Sequence, residues 1–370
     1  MRKSYSIIAL LIATFSSVVL GQTKVGTLGG FYSFSPSVRG VGMGNVGASL
    51  VDNYSFYYNP AALAFLFPEE HAQIGFMPSR ADFSARDYEL HCNYYAVAAG
   101  IIDDQVGPQN HFYLNVGYYL TRLKETMRFT SYEHPQGDDE SEIEDKFHNI
   151  MLAFGRAGVL DIGGGITMKA VDNKSGERAL NFFGIDLGVL FRIPEGRLSL
   201  SFNREGTGRL YISPSAGFST TNEKHMDNTH SRLGFSAEFG YQRRTARRYY
   251  TLLAIVPALD RVRPITGDKP VRYGAEASFF EALSFRIGRV EPYGPGNHDK
   301  TWGFSLKSRG LARFATDLLF PAWAHLHKGL CAVVSEKLQV EFDFAQRTFV
   351  NDLPISAKRN LRFYGVSISL

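Results

Sequence analysis

Three glycines near the N-terminus have the spacing of a phosphate-binding loop. Gly42, Gly44 and Gly47 fit the pattern G-x-G-x-x-G, which binds a pyrophosphate when a buried strand leads into the first glycine and a helix begins at the last. Neither neighbour is predicted here, because Pro36 interrupts the preceding stretch and Asn59-Pro60 disfavours a helix soon afterwards. We therefore expect no nucleotide at this segment.

Other patterns that carry chemistry are sparse. The sequence contains no H-E-x-x-H, G-x-S-x-G or P-loop pattern, and its 10 histidines are scattered. His325 and His327 lack a third ligand close by, so such a pair is more often incidental than a metal site. The acidic run at 138–145 and the basic run at 242–248 are typical of solvated turns. The sequence thus predicts no enzyme, no metal and no cofactor.

Residues 1–21 have the layout of a cleaved secretory signal. Arg2 and Lys3 precede an apolar run over residues 7–20, with Val19 and Gly21 at the expected cleavage point. The run is shorter than the roughly 20 residues of a membrane-spanning helix, and no cysteine stands at the cleavage point for lipid attachment. Loss of Arg2 and Lys3 takes the formal charge from +4 to +2, so we expect no nucleic-acid partner.

The remaining chain is rich in strand-forming aromatic residues and in glycine. It has 29 Phe, 19 Tyr and 36 Gly in the full sequence, a mixture typical of β-rich proteins. No later stretch reaches the roughly 18 consecutive apolar residues of a helical membrane span. Cys92 and Cys331 are too few for a disulfide framework; they either pair or stay as buried thiols.

Apolar and polar residues alternate with a period of two from about residue 70 onward, as in a strand with one apolar face. In 181–193, 283–290 and 338–344 the apolar face is continuous, and in 181–193 Leu190 is its single exception. A soluble sandwich would also alternate. If the sheet instead closes into a barrel, charged residues on the polar face line its lumen. The candidate lumen-lining residues are Asp186, Arg192, Arg286, Glu341 and Asp343.

Segments with this alternation number fourteen, and an even number is usual in membrane barrels. The predicted strands are residues 70–78, 87–100, 109–124, 146–156, 161–171, 181–193, 197–204, 230–242, 248–259, 271–279, 283–291, 300–308, 338–347 and 361–370.

Connector lengths indicate an orientation for these strands. If both ends of the wall face the periplasm, short turns are expected at 194–196 and 281–282, and long loops at 134–145 and 205–229. The connector 309–337 is long although it falls on the side of the short turns.

The glycine segment, together with the block Tyr58-Asn59-Pro60-Ala61-Ala62-Leu63, resembles the N-terminal signature of the PorV/PorQ family within the wider FadL-like outer-membrane barrels. Asn45 departs from it, since most relatives have a glycine there. The resemblance implies that this signature folds inside the barrel as a hatch, and glycine and Asn-Pro suit a coiled segment in a narrow lumen. The motif residues are Arg39, Gly42, Met43, Gly44, Gly47, Asp52, Asn59, Pro60 and Ala61.

The sequence and this resemblance together predict an all-β protein: an antiparallel transmembrane β-barrel of about 14 strands at 70–370, with a hatch at 22–69 after a signal peptide at 1–21. The expected location is the outer membrane of a Gram-negative bacterium, with outer-membrane lipid as partner. The resemblance implies a non-enzymatic carrier in type IX secretion that binds secretion components and cargo. The alternatives are passive uptake of a hydrophobic small molecule and a secreted soluble β-sandwich that binds a ligand.

Overall fold

The computed structural model describes most of the chain from residue 37 onward, with gaps. The described residues are 37–52, 54–66, 74–85, 88–105, 111–129, 139–175, 178–194, 197–202, 207–223, 230–244, 249–264, 271–290, 299–315, 339–349 and 359–369. The predicted signal peptide, the pair His325 and His327, Cys331 and residues 316–337 lie outside them. Cys92 is buried, and its pairing with Cys331 stays a prediction.

The described part of the chain is almost entirely β-sheet. The strands are β1 (Ile74–Ala85), β2 (Tyr88–Gln105), β3 (His111–Phe129), β4 (Asp139–Ala157), β5 (Asp161–Ser175), β6 (Arg178–Arg192), β7 (Leu198–Phe202), β8 (Gly208–Glu223), β9 (His230–Arg244), β10 (Tyr249–Pro264), β11 (Val271–Phe279), β12 (Leu283–Val290), β13 (Asp299–Lys307), β14 (Gln339–Phe349) and β15 (Arg359–Ser369). The helices are α1 (Val38–Gly42), α2 (Ser308–Phe314) and the 3₁₀ helices Ser55–Tyr57 and Pro60–Phe65.

Antiparallel pairings carry the sheet around a ring. Neighbours in sequence pair from β1 to β6 and from β8 to β15, β1 pairs with β15, and β6 pairs with β8. β6 and β7 pair with successive stretches of β8, Ser215–Glu223 after Gly208–Ile212. They are therefore two parts of one wall strand, and the ring has fourteen positions. The predicted antiparallel barrel is confirmed, because the pairings form one ring and not two packed sheets.

Three details of the predicted strand map are wrong. Residues 194–196 are not a turn between antiparallel neighbours, because β6 and β7 run in the same direction along β8. The predicted loop 205–229 contains β8, whose alternation is hidden by Pro214 and by many small polar residues. The predicted loop 134–145 is also partly strand, since β4 begins at Asp139.

The two ends of the wall lie at one rim of the barrel, since Gly75 at the start of β1 pairs with Ser369 at the end of β15. We call this the terminal rim, and the other the opposite rim. Helix α2 follows β13 at the terminal rim, so it supplies the first part of the long connector that begins at residue 309. That the terminal rim faces the periplasm stays a prediction.

The outer face of the wall is apolar. On β6, Leu187, Val189 and Phe191 are exposed, whereas Leu190 between them is fully buried on the inner face. Aromatic pairs such as Trp302 with Phe344, whose ring centroids are 5.2 Å apart, extend this surface across strands. An apolar exterior around a polar interior is the pattern of a transmembrane β-barrel. Within the described ranges, no helix is long and apolar enough to cross a membrane.

Candidate functional site

The N-terminal segment 37–66, here called the plug, lies inside the ring. Val38, Met43 and Val46 are buried, as is Leu63 in the second 3₁₀ helix. Helix α1 contacts β12–β15, and the helix Pro60–Phe65 contacts β3–β6 on the other side. The plug therefore spans the lumen between opposing parts of the wall, where the resemblance placed it.

The glycine-rich turn is shaped by its contacts with the wall. Gly44 (φ +81°) and Asn45 (φ 62°) adopt the left-handed conformation, and a Cβ on Gly44 would lie 2.5 Å from the carbonyl oxygen of Arg289. The Gly44 N–H donates to Thr301 Oγ1 at 2.9 Å, and the Gly47 N–H donates to the Asp260 carboxylate at 2.8 Å. The backbone groups that would bind a pyrophosphate thus bind the wall instead.

Within the described residues, four pairs of glycines lie directly opposite each other on neighbouring strands where the plug approaches the wall. They are Gly155 with Gly163, Gly165 with Gly188, Gly217 with Gly234, and Gly274 with Gly288. A side chain on Gly188 would overlap Asn59, and one on Gly217 would overlap the Ala48 carbonyl. These wall glycines fit the plug because they let two backbones approach closely.

Residues 37–48 of the plug, here called the polar arm, are bound mainly by charged and hydrogen-bonding groups. Arg39 donates to Glu276 through Nε at 3.0 Å and Nη2 at 2.8 Å, and its Nη1 lies 3.6 Å from Asp52. On the wall, Arg286 donates to Glu276 and, at 2.7 Å, to Asp343. We call these five residues the charged cluster. Such bidentate, buried geometry fixes the position of the plug more strictly than apolar contact does.

Electrostatics hold the charged groups of the plug in definite states. Burial alone lowers the pKa of Arg39, but the carboxylates of Glu276 and Asp52 raise it well above its usual value. Burial, together with Asp343, Glu341 and Asp52, raises the pKa of Tyr54 well above its usual value. Arg39 is therefore a permanent cation and Tyr54 a permanent neutral donor, which donates to the Val366 carbonyl at 3.1 Å.

The other predicted lumen residues also sit in ion pairs. Asp186 pairs with Lys169 at 2.8 Å, and Glu341 pairs with Lys307 at 3.1 Å. Arg192 pairs with Asp161 at 2.8 Å and lies over the ring of Phe65 in the plug. The structure brings Arg286 and Asp343 together in the charged cluster and leaves Asp186 and Arg192 on the far side of the lumen. Each of these charges has a partner, so none is a free binding group.

Residues 55–66 of the plug, here called the apolar arm, are bound mainly by packing. Asn59 accepts a hydrogen bond from the Ala61 N–H at 3.1 Å and caps the helix, and Pro60 occupies its first turn. On the wall, Asn115 donates to the Leu63 carbonyl at 2.8 Å. Buried apolar side chains of both partners form one cluster: Tyr54, Phe56, Ala61, Ala62, Leu63, Ala64, Phe65, Ala96, Ala98, Tyr119, Met151, Ala153 and Leu190.

Several wall residues that bind the plug were not singled out from the sequence. Glu276 and Asp260 are the carboxylates that bind Arg39 and the Gly47 N–H, and Arg232 donates to the Asn45 carbonyl at 3.4 Å. A signal was available for both acids, because each occupies the polar face of an alternating strand. Alternation does not show which plug residue each acid binds, since Arg39 and Glu276 are 237 residues apart in the chain.

A polar cavity and an apolar groove lie next to the plug. The polar cavity, of about 400 Å³, opens at the terminal rim and is lined by Arg39, Glu276 and Lys307 together with residues of α2. The apolar groove, of about 780 Å³, lies on the wall across β6, β8, β9, β10 and β11. The polar cavity reaches the charged cluster from the terminal rim. The apolar groove lies on the outer face of the wall, opposite the plug.

Helix α2 is fixed over the polar cavity by a turn with unusual backbone. Phe280 (φ 54°) and Glu281 (φ 53°) are both left-handed without being glycine, which costs about 1–3 kcal/mol each unless other contacts fix them. Those contacts come from α2: the Phe280 and Phe314 ring centroids are 4.7 Å apart, and Arg313 pairs with Glu281 at 3.2 Å. Helix α2 and this turn therefore support each other at the mouth of the cavity.

No known family and no curated protein matches the sequence. Among solved structures, the chain is similar to a deletion mutant of the monoaromatic hydrocarbon channel TodX, with 9% identity, coverage of 91% of this chain and 98% of that chain, and a TM-score of 0.46. It is also similar to the Pseudomonas putida toluene transporter TodX (8% identity, 94% and 99% covered, TM-score 0.44) and to a Pseudomonas aeruginosa FadL homologue (9% identity, 90% and 97% covered, TM-score 0.38).

Proposed function

We propose that this protein is a non-enzymatic outer-membrane channel for hydrophobic small molecules, which pass between the lipid-facing wall and the lumen beside the plug. The observation that carries the proposal is the apolar groove, because it is a concave, lipid-facing surface large enough for a small ligand. It lies directly across the wall from the plug.

The groove is formed where small residues stand in a row across three strands. Pro214 on β8 pairs with Ala237 on β9, and Pro257 on β10 follows. Large apolar side chains project on either side of this row. They are Phe191, Phe235, Phe239, Leu259 and Tyr273, all exposed on the outer face. Apolar walls with aromatic edges suit an uncharged ring or a short hydrocarbon chain.

The hydrogen bonding of the wall is interrupted at the same place. The β9–β10 register omits Val256 and Pro257. Between the stretches of β8 that pair with β6 and β7, the Ile193 N–H donates to the Pro214 carbonyl at 3.0 Å, and the strand pairing resumes only at Leu198. A proline in a strand removes one donor from the ladder. The wall at the groove therefore resists separation of its strands less than an uninterrupted ladder would.

The groove and the plug meet through shared residues. Ser236 lines the groove, and its hydroxyl donates to the Ser49 carbonyl of the plug at 3.3 Å. Gly274 also lines the groove, and it lies so close to the Met43 backbone of the plug that a side chain at this position would overlap it. A ligand that separates strands here would reach the plug backbone first, so displacement of the plug is the step that admits it to the lumen.

A carrier role in type IX secretion, with secretion components and cargo as partners, stays a prediction from the sequence resemblance. The outer-membrane location after signal cleavage is part of the present proposal, and the apolar outer face supports it. Cell fractionation checks this location independently of transport, since recovery in the soluble periplasm would contradict it.

The test of the transport role fills the groove and leaves the plug intact. Ala237→Trp should lower the entry rate of N-phenylnaphthylamine, a fluorescent apolar probe, into cells of a Gram-negative host that express the protein. The matched control is Ile287→Trp, which adds the same ring on the lipid-facing side of β12 outside the groove. Equal entry rates in the two variants and the wild type would contradict the proposal.

A further inference from the structure

A third cavity lies between the plug and the wall near the opposite rim. Its volume is about 30 Å³, and its lining includes Lys169, Arg232 and His230 with the polar groups of Tyr58 and Thr221. Arg232 is buried, with 7% of its surface exposed. Apart from tyrosine, the titratable side chains that line the cavity are all basic.

Among the described residues, positive charge exceeds negative charge around this cavity. Arg232 and Arg272 both donate to the Asn45 carbonyl, at 3.4 and 3.5 Å, and within the described part of the chain Arg232 has an ion pair with Asp260, at 3.6 Å. That carboxylate already accepts the N–H groups of Gly47 and, at 3.1 Å, Ala48. Two buried guanidinium groups thus share one carboxylate, and Arg272 Nε has no hydrogen-bond partner within the described residues.

The neighbouring pair does not supply the missing negative charge. Lys169 is paired with Asp186 at 2.8 Å, so among the described residues the Asp260 carboxylate alone faces both Arg232 and Arg272. A buried charge without a counter-charge is unfavourable in a medium of low polarity. Tyr58 does contribute, since its ring lies 4.6 Å from the Arg232 guanidinium carbon, but a cation–π contact carries no net negative charge.

We propose that this cavity binds one small inorganic anion of the size of chloride. A single water needs roughly 10–15 Å³ of such space, so the cavity of about 30 Å³ accepts a monatomic anion and excludes sulfate, phosphate and a carboxylate attached to a hydrocarbon chain. Its lining includes Arg232, Lys169 and Thr221, which carry guanidinium, ammonium and hydroxyl donors. The proposal does not depend on what the channel transports.

The anion would bind the plug and the wall together. Asn45 and Tyr58 belong to the plug and are joined by a short hydrogen bond from the Tyr58 hydroxyl to the Asn45 side chain. Arg232 and Lys169 belong to the wall. A ligand that binds only when these groups are assembled stabilises the assembled state in proportion to the logarithm of its concentration. Chloride should therefore hold the plug in position.

The test measures the unfolding temperature of the purified full chain in detergent while chloride replaces gluconate at constant ionic strength. The midpoint should rise with the logarithm of the chloride concentration, and crystals soaked in bromide should show an anomalous peak in the cavity. Equal midpoints in chloride and gluconate, or a bromide-soaked crystal without that peak, would overturn the proposal.

A substitution sharpens the test by supplying the negative charge covalently. His230→Glu places a carboxylate at the lining, so this variant should have a chloride-independent midpoint at or above that of the chloride-free wild type. The control is Lys300→Glu, which also introduces a carboxylate, at an exposed position of β13 outside the cavity, and should keep the chloride dependence. If His230→Glu retains the full chloride dependence, the anion does not bind in this cavity.

Discussion

The polar arm and the apolar arm of the plug occupy one lumen but are held by different forces. The polar arm meets β9–β15 through directed contacts, such as Arg39 with Glu276 and the Gly47 N–H with Asp260. The apolar arm meets β2–β6 through buried side chains, of which Leu63 is 0% exposed. Burial of apolar area is non-directional, whereas charged hydrogen bonds stabilise only in one geometry.

This difference teaches where the plug can be released. A small displacement of the apolar arm weakens many dispersion contacts together but leaves no charge without a partner. The same displacement of the polar arm leaves buried charges without partners, which is costly at once. The polar arm therefore has two well-separated states, bound or rehydrated. Rehydration requires water, and the polar cavity at the terminal rim is large enough to hold water next to Arg39 and Glu276.

The largest effect is expected from the centre of the charged cluster. Arg286→Met should lower the free energy of unfolding by about 3–5 kcal/mol, because Glu276 and Asp343 would remain buried without their shared cation. Urea titration of the protein in liposomes measures this. The control is Arg122→Gln, which removes an exposed partner of Glu144 and should cost less than about 1 kcal/mol. Similar losses for the two variants would show that the polar arm does not depend on charge pairing.

The apolar arm should respond to loss of volume. Leu63→Ala should cost about 2–5 kcal/mol, since the surrounding side chains cannot fully close the space. Leu187→Ala, at a 53% exposed position on the outer face of β6, is the matched control and should cost far less. Ionic strength also distinguishes the two arms. The loss of unfolding free energy caused by Leu63→Ala should be the same at low and high ionic strength. A strong salt dependence would place Leu63 in the electrostatic system instead.

The wall could be predicted from the sequence much better than the way it binds the plug. Alternation locates strands because side chains point to opposite faces with a period of two, and it assigned Arg286 and Asp343 to the inner face on those grounds. It failed at β8, where Pro214 and a run of serine, threonine and glycine carry little hydrophobic contrast. It also took 194–196 for a hairpin turn, because a break within one strand and a turn between two strands have the same local composition.

The plug was located by resemblance, but its partners follow from the register of distant strands. Gly274 faces Gly288, and both face Met43 and Gly44, because three separate segments reach the same height in the barrel. No local pattern encodes that height. The outcome for a motif such as G-x-G-x-x-G depends on these neighbours, since the same glycines that cradle a phosphate elsewhere receive Thr301 and Asp260 here.

A smaller effect should come from the residue that joins the two arms. Asn59 caps the helix of the apolar arm and donates to the Ala48 carbonyl of the polar arm at 2.7 Å and to Val189 on β6 at 3.0 Å. Asn59→Ala should cost about 1–3 kcal/mol, from the lost cap and from an unsatisfied buried carbonyl. Asn149→Ala is the control, because that buried asparagine makes only long hydrogen bonds of 3.4 Å.

If Asn59 couples the arms, its removal should also change how Arg286→Met and Leu63→Ala combine. In the wild-type background the costs of the two substitutions in free energy of unfolding should not be additive, because displacement of one arm weakens the contacts of the other. In the Asn59→Ala background the two costs should become additive. Full additivity in both backgrounds would show that the arms bind the wall independently. Thermal or urea unfolding of the single, double and triple variants provides all the values needed.

The smallest effect on stability is expected at the mouth of the polar cavity, where Arg313→Gln breaks the ion pair of α2 with Glu281. Both side chains are partly exposed, 19% and 25%, so the loss should stay below about 1 kcal/mol. Its functional effect should be larger, because the left-handed Phe280–Glu281 turn keeps its conformation only while α2 packs on it. Release of α2 would admit water to Arg39 and favour the rehydrated state of the polar arm. Liposome swelling in a small sugar should then be faster for Arg313→Gln than for Arg122→Gln at similar stability; equal rates would mean that α2 does not cover the path to the plug.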